Sequence, residues 1–539
     1  MGLSTFLALR LHWLELLRVI GPPLHHLDMH PISHADSDPD KPACIDAESG
    51  QGLSYRTLNE RANQGAHLLR ALGLRRGDVV ATLLHNCLEV FEVAWAAQRI
   101  GLYLTSISTK LSPADVGYII DDSGARLLIG SNHLAPLSAA ALQTRSHVRC
   151  LLADSASKDF ASWRAARECY PSDPVADMSP GTDMLYSSGT TGRPKGVKPA
   201  LPVGAIDAPT PLMHMGQTLY GMGPDSIYLS TSPLYHAAPL RWAMTMQRLG
   251  GTVIFTKQFD AQRSLALIEQ YDITHATFVP THFIRMLKLP VEVRERADVS
   301  SLQAVVHAAA PCPVPVKRAM IDWWGPIVHE YYAGTEMCGI TAISASEWLQ
   351  KPGSVGRAVL GTVKITDDSG NELPAEQVGN VCFANGPRFE YHNDPTKTAE
   401  AYDRHGWATL GDIGRLDSDG YLFLTDRRHF MIISGGVNIY PQEIENLIIT
   451  HPKVADVAVI GAPDEEMGEK VVAIVQPLHW GDANSAFAEE LRTFARNALG
   501  GVKCPRQFHF RQSLPREPTG KLMKALLRQE FMRVKTDAT

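Results

Sequence analysis

The sequence has 539 residues, of which 45% are hydrophobic and 20% are charged, and its formal net charge is −6. This length exceeds what one hydrophobic core usually supports, so we expect two or more domains. The net negative charge gives no sign of a basic surface, which argues against a nucleic-acid partner. The eight cysteines include no CxxC pair, which argues against a zinc site or a disulfide framework and fits a reducing cytoplasm.

The first twenty residues are apolar but are interrupted by Arg10, Glu15 and Arg18. No run of eighteen apolar residues exists, and no small-residue cleavage site follows, so neither a transmembrane helix nor a signal peptide is predicted. We expect a helix packed on its own domain, with peripheral membrane contact through residues 1–20 as the alternative. The histidines at positions 25, 26, 30 and 34 have no cysteine beside them, so we expect a polar connector there and no metal site.

From about residue 53 to residue 380, short apolar runs alternate with stretches of helical spacing. Residues 79–84 and 252–255 have the composition of strands, whereas residues 58–72 and 265–271 have the spacing of helices. This alternation predicts an α/β architecture with largely parallel sheets.

The densest chemical signal lies at residues 186–198, where glycines, hydroxyls and two lysines are concentrated. Glycines allow backbone N–H groups to converge on one point, and hydroxyls and lysines add donors and positive charge. The pattern is not a Walker A loop, because Pro194 precedes Lys195 and Gly196 follows it. We therefore interpret the segment as a polyphosphate-binding loop of another type.

Two further segments suit the carboxyl ends of strands, where ligands gather in open α/β sheets. Residues 308–311 form a run of three alanines and a proline, and small side chains there leave volume for a ligand. Residues 330–336 read Glu-Tyr-Tyr-Ala-Gly-Thr-Glu, in which Tyr332 could stack on a base and Glu336 could bind Mg²⁺.

Beyond residue 355 the pattern changes to strands separated by Asp- and Gly-containing turns, which are hairpin signals. Asp412 follows Gly411, and such a carboxylate can accept both hydrogens of a ribose diol. After a charged break at residues 426–429, Pro441 begins a predicted helix, and residues 454–460 and 471–475 read as strands, with a helix at 488–499. The last 110 or so residues suit a small α+β domain.

These motifs together resemble the adenylate-forming superfamily, which includes acyl-CoA synthetases, luciferases and the adenylation domains of peptide synthetases. The loop at 186–198, the aromatic-x-x-Thr-Glu motif at 332–336, Asp412 with Arg427, and the Pro-x-Thr-Gly-Lys motif ending at Lys521 occur in the superfamily's order. The segment 432–441 makes the acyl-CoA synthetase branch the best match. The chain departs from the superfamily pattern at Ala308, Leu410 and the pair His429-Phe430.

The resemblance implies a role for each matching residue. Nucleotide binding is assigned to Ser187, Ser188, Gly189, Thr190, Thr191, Gly192, Lys195, Ala309, Ala310, Glu330, Tyr331, Tyr332, Gly334, Thr335, Asp412 and Arg427. Mg²⁺ is assigned to Thr190 and Glu336, and close passage of the pantetheine arm of coenzyme A to Gly435 and Gly436. The catalytic assignments are Lys521, Thr335, Glu336 and His236.

The implied fold is α/β: a large N-terminal domain of α/β subdomains plus a small β-barrel-like part, followed by a smaller, mobile α+β domain. We expect the N-terminal AMP-binding domain to cover residues 1–428 and the C-terminal domain, which carries the catalytic lysine, to cover residues 429–539. The hinge position then falls on His429. A homodimer is the commonest soluble oligomer, although no motif here specifies one.

The implied reaction joins a carboxylic acid to coenzyme A with ATP and Mg²⁺, through an acyl adenylate. The predicted pocket segments are mostly small or apolar, so a fatty, steroid-type or aromatic acid fits better than acetate or an amino acid. Three alternatives stay open: an enzyme that loads a carrier protein, a non-catalytic sensor of nucleotide or acyl ligand, and a luciferase-like oxidase, which is disfavoured because it needs a special substrate.

Overall fold

The computed structural model describes residues 29–187, 194–499, 501, 503–516 and 522–533. Up to residue 187 the elements are α1 (Pro31–Ser37), β1 (Pro42–Asp46), β2 (Gly52–Ser54), α2 (Tyr55–Ala71), β3 (Val79–Leu83), α3 (Leu88–Arg99), β4 (Tyr103–Ser106), α4 (Pro113–Ser123), β5 (Ala125–Gly130), α5 (Ala135–Leu142), β6 (Arg149–Leu152), β7 (Ala161–Ser162), α6 (Trp163–Arg167), β8 (Thr182–Asp183) and β9 (Leu185–Ser187).

The chain continues from residue 195 to residue 360 through β10 (Lys195–Lys198), α7 (Pro211–Tyr220), β11 (Ile227–Ser230), α8 (Ala237–Arg248), β12 (Thr252–Phe255), α9 (Ala261–Gln270), β13 (His275–Phe278), α10 (Pro280–Leu287), α11 (Val291–Arg296), β14 (Ala304–His307), α12 (Val314–Trp324), β15 (Val328–Ala333), β16 (Ile340–Ile343), α13 (Ala345–Gln350) and β17 (Arg357–Leu360).

The remaining elements are β18 (Thr362–Thr366), β19 (Gly379–Ala384), β20 (Glu390–Tyr391), α14 (Pro395–Glu400), β21 (Ala408–Leu416), β22 (Leu422–Arg427), β23 (Ile432–Ser434), β24 (Val437–Ile439), α15 (Pro441–Ile448), β25 (Val454–Asp464), β26 (Gly468–Pro477), α16 (Ser485–Leu499), β27 (Gln507–Phe510) and α17 (Lys524–Arg533). Short 3₁₀ turns lie at Asn132–Leu134, Arg428–Phe430 and Trp480–Asp482.

Two large sheets form the body of the N-terminal region. One has the strand order β7-β6-β5-β3-β4-β8, and all of its pairings are parallel. The other has the order β17-β16-β15-β14-β13-β11-β12-β1-β2, with parallel central strands and antiparallel pairs at both ends. The predicted α/β architecture with largely parallel sheets is therefore confirmed.

Local sequence explains where several helices begin. Ser54 and Ser112 accept hydrogen bonds from backbone N–H groups in the first turns of α2 and α4. Ser344 and Glu347 form a capping box at α13. Gly124 ends α4 in the left-handed conformation, with φ +68°, which glycine adopts without steric cost.

The part predicted as β-barrel-like consists of two antiparallel sheets that share one core. The sheets have the orders β18-β19-β21-β22 and β20-β10-β9. Their common core includes Val197, Val363, Phe383, Phe389 and Leu422. This arrangement places the residues after the phosphate loop against the strands that carry Asp412 and Arg427.

The C-terminal residues have a core of their own around the sheet β24-β23-β26-β25, with β27 beside β26. Its buried members include Ile439, Ile444, Val459, Val475 and Leu491. The N-terminal region contacts it where Asp426 accepts from the backbone N of Gln442 at 3.0 Å, and where the Lys288 ammonium donates to a backbone carbonyl of Val454. The α+β organisation matches the prediction, and the boundary between residues 428 and 429 remains a prediction.

The expectation of a polar connector around the histidines is wrong for residues 31–37, which form α1. His30 is buried, caps this helix by accepting from the backbone N of Ile32, and packs edge-on against Trp95. His34 lies 2.8 Å from the carbonyl oxygen of Arg248. These contacts join residues far apart in sequence, so the histidine spacing alone could not reveal them. The predicted helix at residues 1–20 lies outside the described residues.

Within the described part of the chain, no helix is long and apolar enough to cross a membrane.

Candidate active site

Three of the predicted nucleotide-binding residues meet at one carboxylate. The Tyr332 hydroxyl donates to Oδ2 of the buried Asp412 at 2.6 Å, and Nε of Arg427 lies 3.2 Å from Oδ1. Strands β21 and β22 pair Asp412 directly with Arg427, and β15 brings Tyr332 to them. The Tyr332 ring stacks on Phe383 with centroids 6.1 Å apart. Strand register thus fixes these three side chains, which we call the Tyr332–Asp412–Arg427 corner, before any ligand binds.

Burial and neighbouring charges set the protonation states of Tyr332 and Arg427 in this corner. Burial raises the pKa of Tyr332 well above its ordinary value, and the neighbouring Asp412 charge raises it further. Burial by itself lowers the pKa of Arg427, but Asp412, Tyr332 and Glu336 outweigh it and leave that pKa raised. Arg427 is therefore a permanent cation beside a neutral phenol.

Glu336 lies at a second junction, which includes a residue that the sequence analysis did not single out. The Tyr391 hydroxyl donates to Oε1 of Glu336 at 2.9 Å, and the Lys195 ammonium lies 5.3 Å from the centroid of the Tyr391 ring. Burial and the nearby Lys397 lower the pKa of Lys195, against the opposing charges of Asp394 and Glu336. An aromatic residue on a short strand before a proline-initiated helix was the only sequence signal for Tyr391.

Two strand pairings bring the residues that flank the phosphate loop to Tyr391, the partner of Glu336. Lys195 pairs with Ser187 across β9 and β10, and Val197 pairs with Tyr391 across β10 and β20. The backbone therefore enters the loop at Ser187 and leaves it toward Lys195 at one edge of this small sheet. The predicted phosphate ligands Ser188, Gly189, Thr190, Thr191 and Gly192 lie outside the described residues.

The turn before Glu336 leaves no room for a side chain at Gly334. A Cβ atom built there would lie 2.5 Å from Oε2 of Glu336 and 2.8 Å from a methyl carbon of Leu410. Leu410 is one of the departures from the superfamily pattern, and its methyl groups occupy the space beside Gly334. Thr335 continues this turn and offers its carbonyl oxygen to Arg241 at 3.3 Å.

Glu330 and Tyr331 are each paired with another side chain of the protein. The buried Glu330 carboxylate lies 2.6 Å from Nζ of the buried Lys317, and burial raises its pKa although Lys317 opposes this. The Tyr331 hydroxyl accepts from Nε1 of Trp242 at 3.2 Å. Both predicted ligands are thus engaged by the protein itself, and their roles toward a nucleotide remain predictions.

His236 stands directly before α8 and is neutral at physiological pH. Burial lowers its pKa to about 4, and its Nε2 atom has no hydrogen-bond partner among the described residues. Farther along the same helix, Ala238 and Met244 are partly buried, as are Tyr331, Ala333 and Met337 from β15 and the turn beyond it. An unpartnered imidazole directly before a helix with partly buried apolar side chains suits the entrance of a pocket for an apolar acid.

The predicted loop at Ala309 and Ala310 has an unusual backbone. Ala309 has φ +73°, a conformation that costs a residue with a Cβ more than it costs glycine. Met337, directly after Glu336, also has positive φ, at +54°. The strained residues follow the carboxyl ends of β14 and β15, the strand ends at which both predicted motifs lie.

Gly435 and Gly436 form the two-residue turn of the hairpin β23–β24. Their φ values are +56° and +77°, as a type I′ turn requires, and Ser434 pairs with Val437 across it. The side chains of Ile433 and Val437 beside the turn are 51% and 44% exposed. The predicted catalytic Lys521 lies outside the described residues.

Sequence profiles of two families match the chain. The profile described as AMP-binding enzyme matches residues 33–388, and the profile described as AMP-binding enzyme C-terminal domain matches residues 443–521.

Curated relatives match over nearly their whole length. The fatty acid–[acyl-carrier-protein] ligase ScoC of Streptomyces coeruleorubidus is 32% identical over 531 residues, covering 95% of this chain and 98% of that protein. The long-chain-fatty-acid–CoA ligase FadD13 of Mycobacterium tuberculosis is 32% identical over 502 residues, covering 91% and 95%. The feruloyl-CoA synthase of an Amycolatopsis species is 32% identical, covering 89% and 94%.

Solved structures share the fold. ATP-bound MatB from Rhodopseudomonas palustris superposes with a TM-score of 0.80 at 26% identity, covering 94% of this chain and 100% of that one. The o-succinylbenzoate CoA synthetase MenE from Bacillus subtilis, in complex with an acyl-adenylate intermediate, gives a TM-score of 0.78 at 25% identity, covering 94% and 99%.

Proposed function

Because this chain belongs to the AMP-binding enzymes, in the acyl-CoA synthetase branch of the adenylate-forming superfamily, we propose that it is an ATP-dependent acyl-CoA ligase. Its acid is hydrophobic: fatty, steroid-type or aromatic. The observation that carries this proposal is the joint presence of the Tyr332–Asp412–Arg427 corner, the Glu336–Tyr391–Lys195 junction and a neutral His236 directly before α8.

In the first step, a carboxylate oxygen of the acid attacks the α-phosphorus of ATP. A bond forms between that oxygen and phosphorus, the bond to the bridging oxygen breaks, and pyrophosphate leaves. Lys195 and Arg427 supply positive charge near the phosphates, and Lys521 is proposed to bridge the carboxylate and the α-phosphate. Positioning and stabilisation of charge supply most of the catalysis in such transfers.

Asp412 is suited to hold the ribose of ATP. Its two oxygens already accept from Tyr332 and Arg427, which fixes the carboxylate plane, and each oxygen retains a further lone pair for a diol hydrogen. A carboxylate fixed in this way binds a diol without first losing side-chain entropy.

Glu336 is the described residue that best fits Mg²⁺. Its Oε1 accepts from Tyr391, whereas Oε2 accepts no hydrogen bond from the described residues. Mg²⁺ usually binds through one or two carboxylates together with substrate phosphates, and a single half-buried glutamate that shares Tyr391 with Lys195 suits that pattern. When bound, the ion offsets the charge of the triphosphate. Thr190, the other predicted ligand, belongs to the predicted phosphate-binding segment at residues 186–198.

In the second step, the sulfur of coenzyme A attacks the acyl carbon. A carbon–sulfur bond forms, the bond from the acyl carbon to the phosphate oxygen of AMP breaks, and the thiol proton is released to solvent as AMP leaves. His236 stays neutral, so it places no positive charge next to the acyl carbonyl and can accept or donate one hydrogen bond there. The exposed hairpin at Gly435 and Gly436 presents backbone without side chains, along which we propose that the pantetheine arm passes. This step requires the C-terminal domain, residues 429–539, to rotate about His429.

A second candidate is an acyl-AMP ligase that loads a carrier protein, because the relative ScoC is named as such a ligase. To distinguish the two, the purified chain is given dodecanoate, ATP and Mg²⁺ with equal concentrations of CoA and a holo acyl carrier protein. We expect the acyl group on CoA. Acylation of the carrier protein alone would favour the second candidate.

We propose a cytoplasmic location, because all eight cysteines are free thiols in the structure. A homodimer and peripheral membrane contact through residues 1–20 are also proposals. Sedimentation of the full chain and flotation with phosphatidylglycerol vesicles would test them.

A further inference from the structure

Arg241 lies on α8, five residues after His236, and its guanidinium contacts two other segments of the candidate site. Its side chain is 18% exposed and that of Asp183 is 12% exposed. Nε and Nη2 of Arg241 donate to the two carboxylate oxygens of Asp183 at 2.7 Å and 2.8 Å. Nη1 donates to the carbonyl oxygen of Thr335 at 3.3 Å.

The three joined segments are those that carry the proposed reaction. Asp183 ends β8, four residues before Ser187, where the backbone enters the phosphate loop. Thr335 directly precedes Glu336. Helix α8 begins right after His236. One side chain therefore joins strand β8, the turn that carries Glu336 and helix α8, and its two partners Asp183 and Thr335 lie 152 residues apart in the sequence.

The chemistry of the contact is specific to arginine. A planar guanidinium can bind a carboxylate with two parallel hydrogen bonds and still aim a third N–H at another acceptor, whereas a lysine ammonium cannot match that fork. The largely buried Asp183 neutralises the charge of Arg241. Burial alone lowers the pKa of Arg241, but Asp183 outweighs it and leaves that pKa raised. Arg241 is thus permanently charged and already paired, which suits a support better than a ligand for a second carboxylate.

We propose that Arg241 is a positioning residue that sets the Thr335–Glu336 turn and the approach to the phosphate loop against the acid pocket during adenylate formation. The inference rests on the proposed ligase function. It assigns to Arg241 no contact with substrate: its effect passes through Asp183 and the Thr335 carbonyl.

The test compares Arg241→Met with Arg241→Lys in acid-dependent ATP–pyrophosphate exchange. Methionine keeps much of the apolar volume and removes every donor, so kcat is expected to fall about 100-fold, the cost of a misplacement of about 1 Å. KM for ATP should change much less, because Asp412 and Arg427 are untouched. The lysine variant should fall between wild type and Arg241→Met.

A matched control is Arg145→Met. Arg145 also binds an aspartate with two hydrogen bonds, Nε to Asp121 Oδ1 at 2.8 Å and Nη2 to Oδ2 at 2.6 Å, but it contacts none of the site segments. It should retain wild-type kcat. If Arg241→Met and Arg145→Met reduce kcat equally, Arg241 has no positioning role.

The double variant Arg241→Met/Asp183→Leu separates positioning from folding. It removes the unpaired carboxylate that the single variant leaves largely buried, so its melting temperature should return close to that of the wild type. Its kcat should stay low, because the bridge to Thr335 is still missing. Full recovery of kcat would overturn the inference. A wild-type enzyme that is inactive with every acid would overturn the proposed function and this inference together.

Discussion

At the scale of single residues, Tyr391 controls how Glu336 is held. Its hydroxyl donates to the carboxylate, while its ring faces Lys195. In Tyr391→Phe the ring remains and the hydrogen bond is lost. We expect the Mg²⁺ concentration for half-maximal ATP–pyrophosphate exchange to rise about fivefold, the value of one hydrogen bond of about 1 kcal/mol.

Tyr421→Phe is the matched control for this prediction. The Tyr421 hydroxyl also donates to a carboxylate, Oε1 of Glu347 at 3.0 Å, but at the capping box of α13. Its loss should leave the Mg²⁺ dependence unchanged. Equal Mg²⁺ titration curves for wild type and Tyr391→Phe would show that the hydroxyl does not position Glu336.

The resemblance to the superfamily assigned Tyr332, Asp412 and Arg427 to one nucleotide site, and the structure places the three side chains in contact, although their roles toward a nucleotide remain predictions. The sequence could not reveal Tyr391, Arg241 or Lys317, whose partners are 55, 58 and 13 residues away in the chain. An isolated tyrosine, arginine or lysine has no local pattern, and its role follows only from which strands pair. For Glu330 the motif was recognisable in the sequence, but the ion pair with Lys317 was not.

At the scale of elements, the hairpin β23–β24 depends on two glycines that differ in their surroundings. At Gly435 a Cβ atom would lie 2.4 Å from the terminal methyl carbon of Met467, whereas at Gly436 it would meet nothing within 4 Å. Both have positive φ, so alanine is strained at either site. Only Gly435→Ala also forces the Met467 side chain to move.

We therefore expect Gly435→Ala to slow thioester formation from a supplied acyl adenylate and CoA more than Gly436→Ala does. Adenylate formation should be unchanged in both variants, since the hairpin is assigned to the second step. The two half-reactions are measured separately by pyrophosphate exchange and by thioester yield. A greater loss of adenylate formation than of thioester formation would contradict the assignment of this hairpin to CoA.

Elements with strong periodicity were predictable, and elements held by tertiary contacts were not. The strand at Thr252–Phe255 has the bounds that the sequence predicted, and the helix predicted at 58–72 occurs as Tyr55–Ala71. Helix α1 was missed because it has only seven residues, too few to be stable by propensity alone, and is held by distant groups such as Arg248.

At the scale of the whole molecule, buried and partly buried histidines make stability depend on pH. Burial lowers the pKa values of His85, His236 and His329 to about 4 and that of His282 to about 3, against about 6.5 in the unfolded chain. Between these values the unfolded chain binds more protons than the folded protein. The contribution of these histidines to the free energy of unfolding is therefore fully present above pH about 6.5 and is lost as the pH falls toward 4.

We expect the urea midpoint to fall steadily as the pH is lowered from 7.5 to 5. His282, stacked on Phe259 with centroids 3.7 Å apart, has an Nδ1 atom without a partner among the described residues, so His282→Gln should flatten this dependence. A midpoint that rises on acidification would contradict the assignment of neutral buried histidines.

The proposed two-domain mechanism predicts that substitution of Lys521 affects the two half-reactions unequally. Lys521→Ala should strongly reduce adenylate formation, because the lysine is assigned to the charge that develops at the α-phosphate. Transfer from a supplied acyl adenylate to CoA should be largely spared, since the C-terminal domain then presents its hairpin face. Equal loss of both half-reactions would refute the assigned role and the proposed rotation about His429.

The central claim is that the chain forms CoA thioesters from hydrophobic acids through an adenylate. The most direct test incubates the full chain with ATP, Mg²⁺ and CoA and quantifies AMP, pyrophosphate and thioester for acetate and for long-chain fatty, aryl and steroid-type acids. We predict the three products in equal amounts with one hydrophobic class and little product from acetate. Pyrophosphate exchange without a CoA thioester, or ATP binding without turnover of any acid, would contradict it.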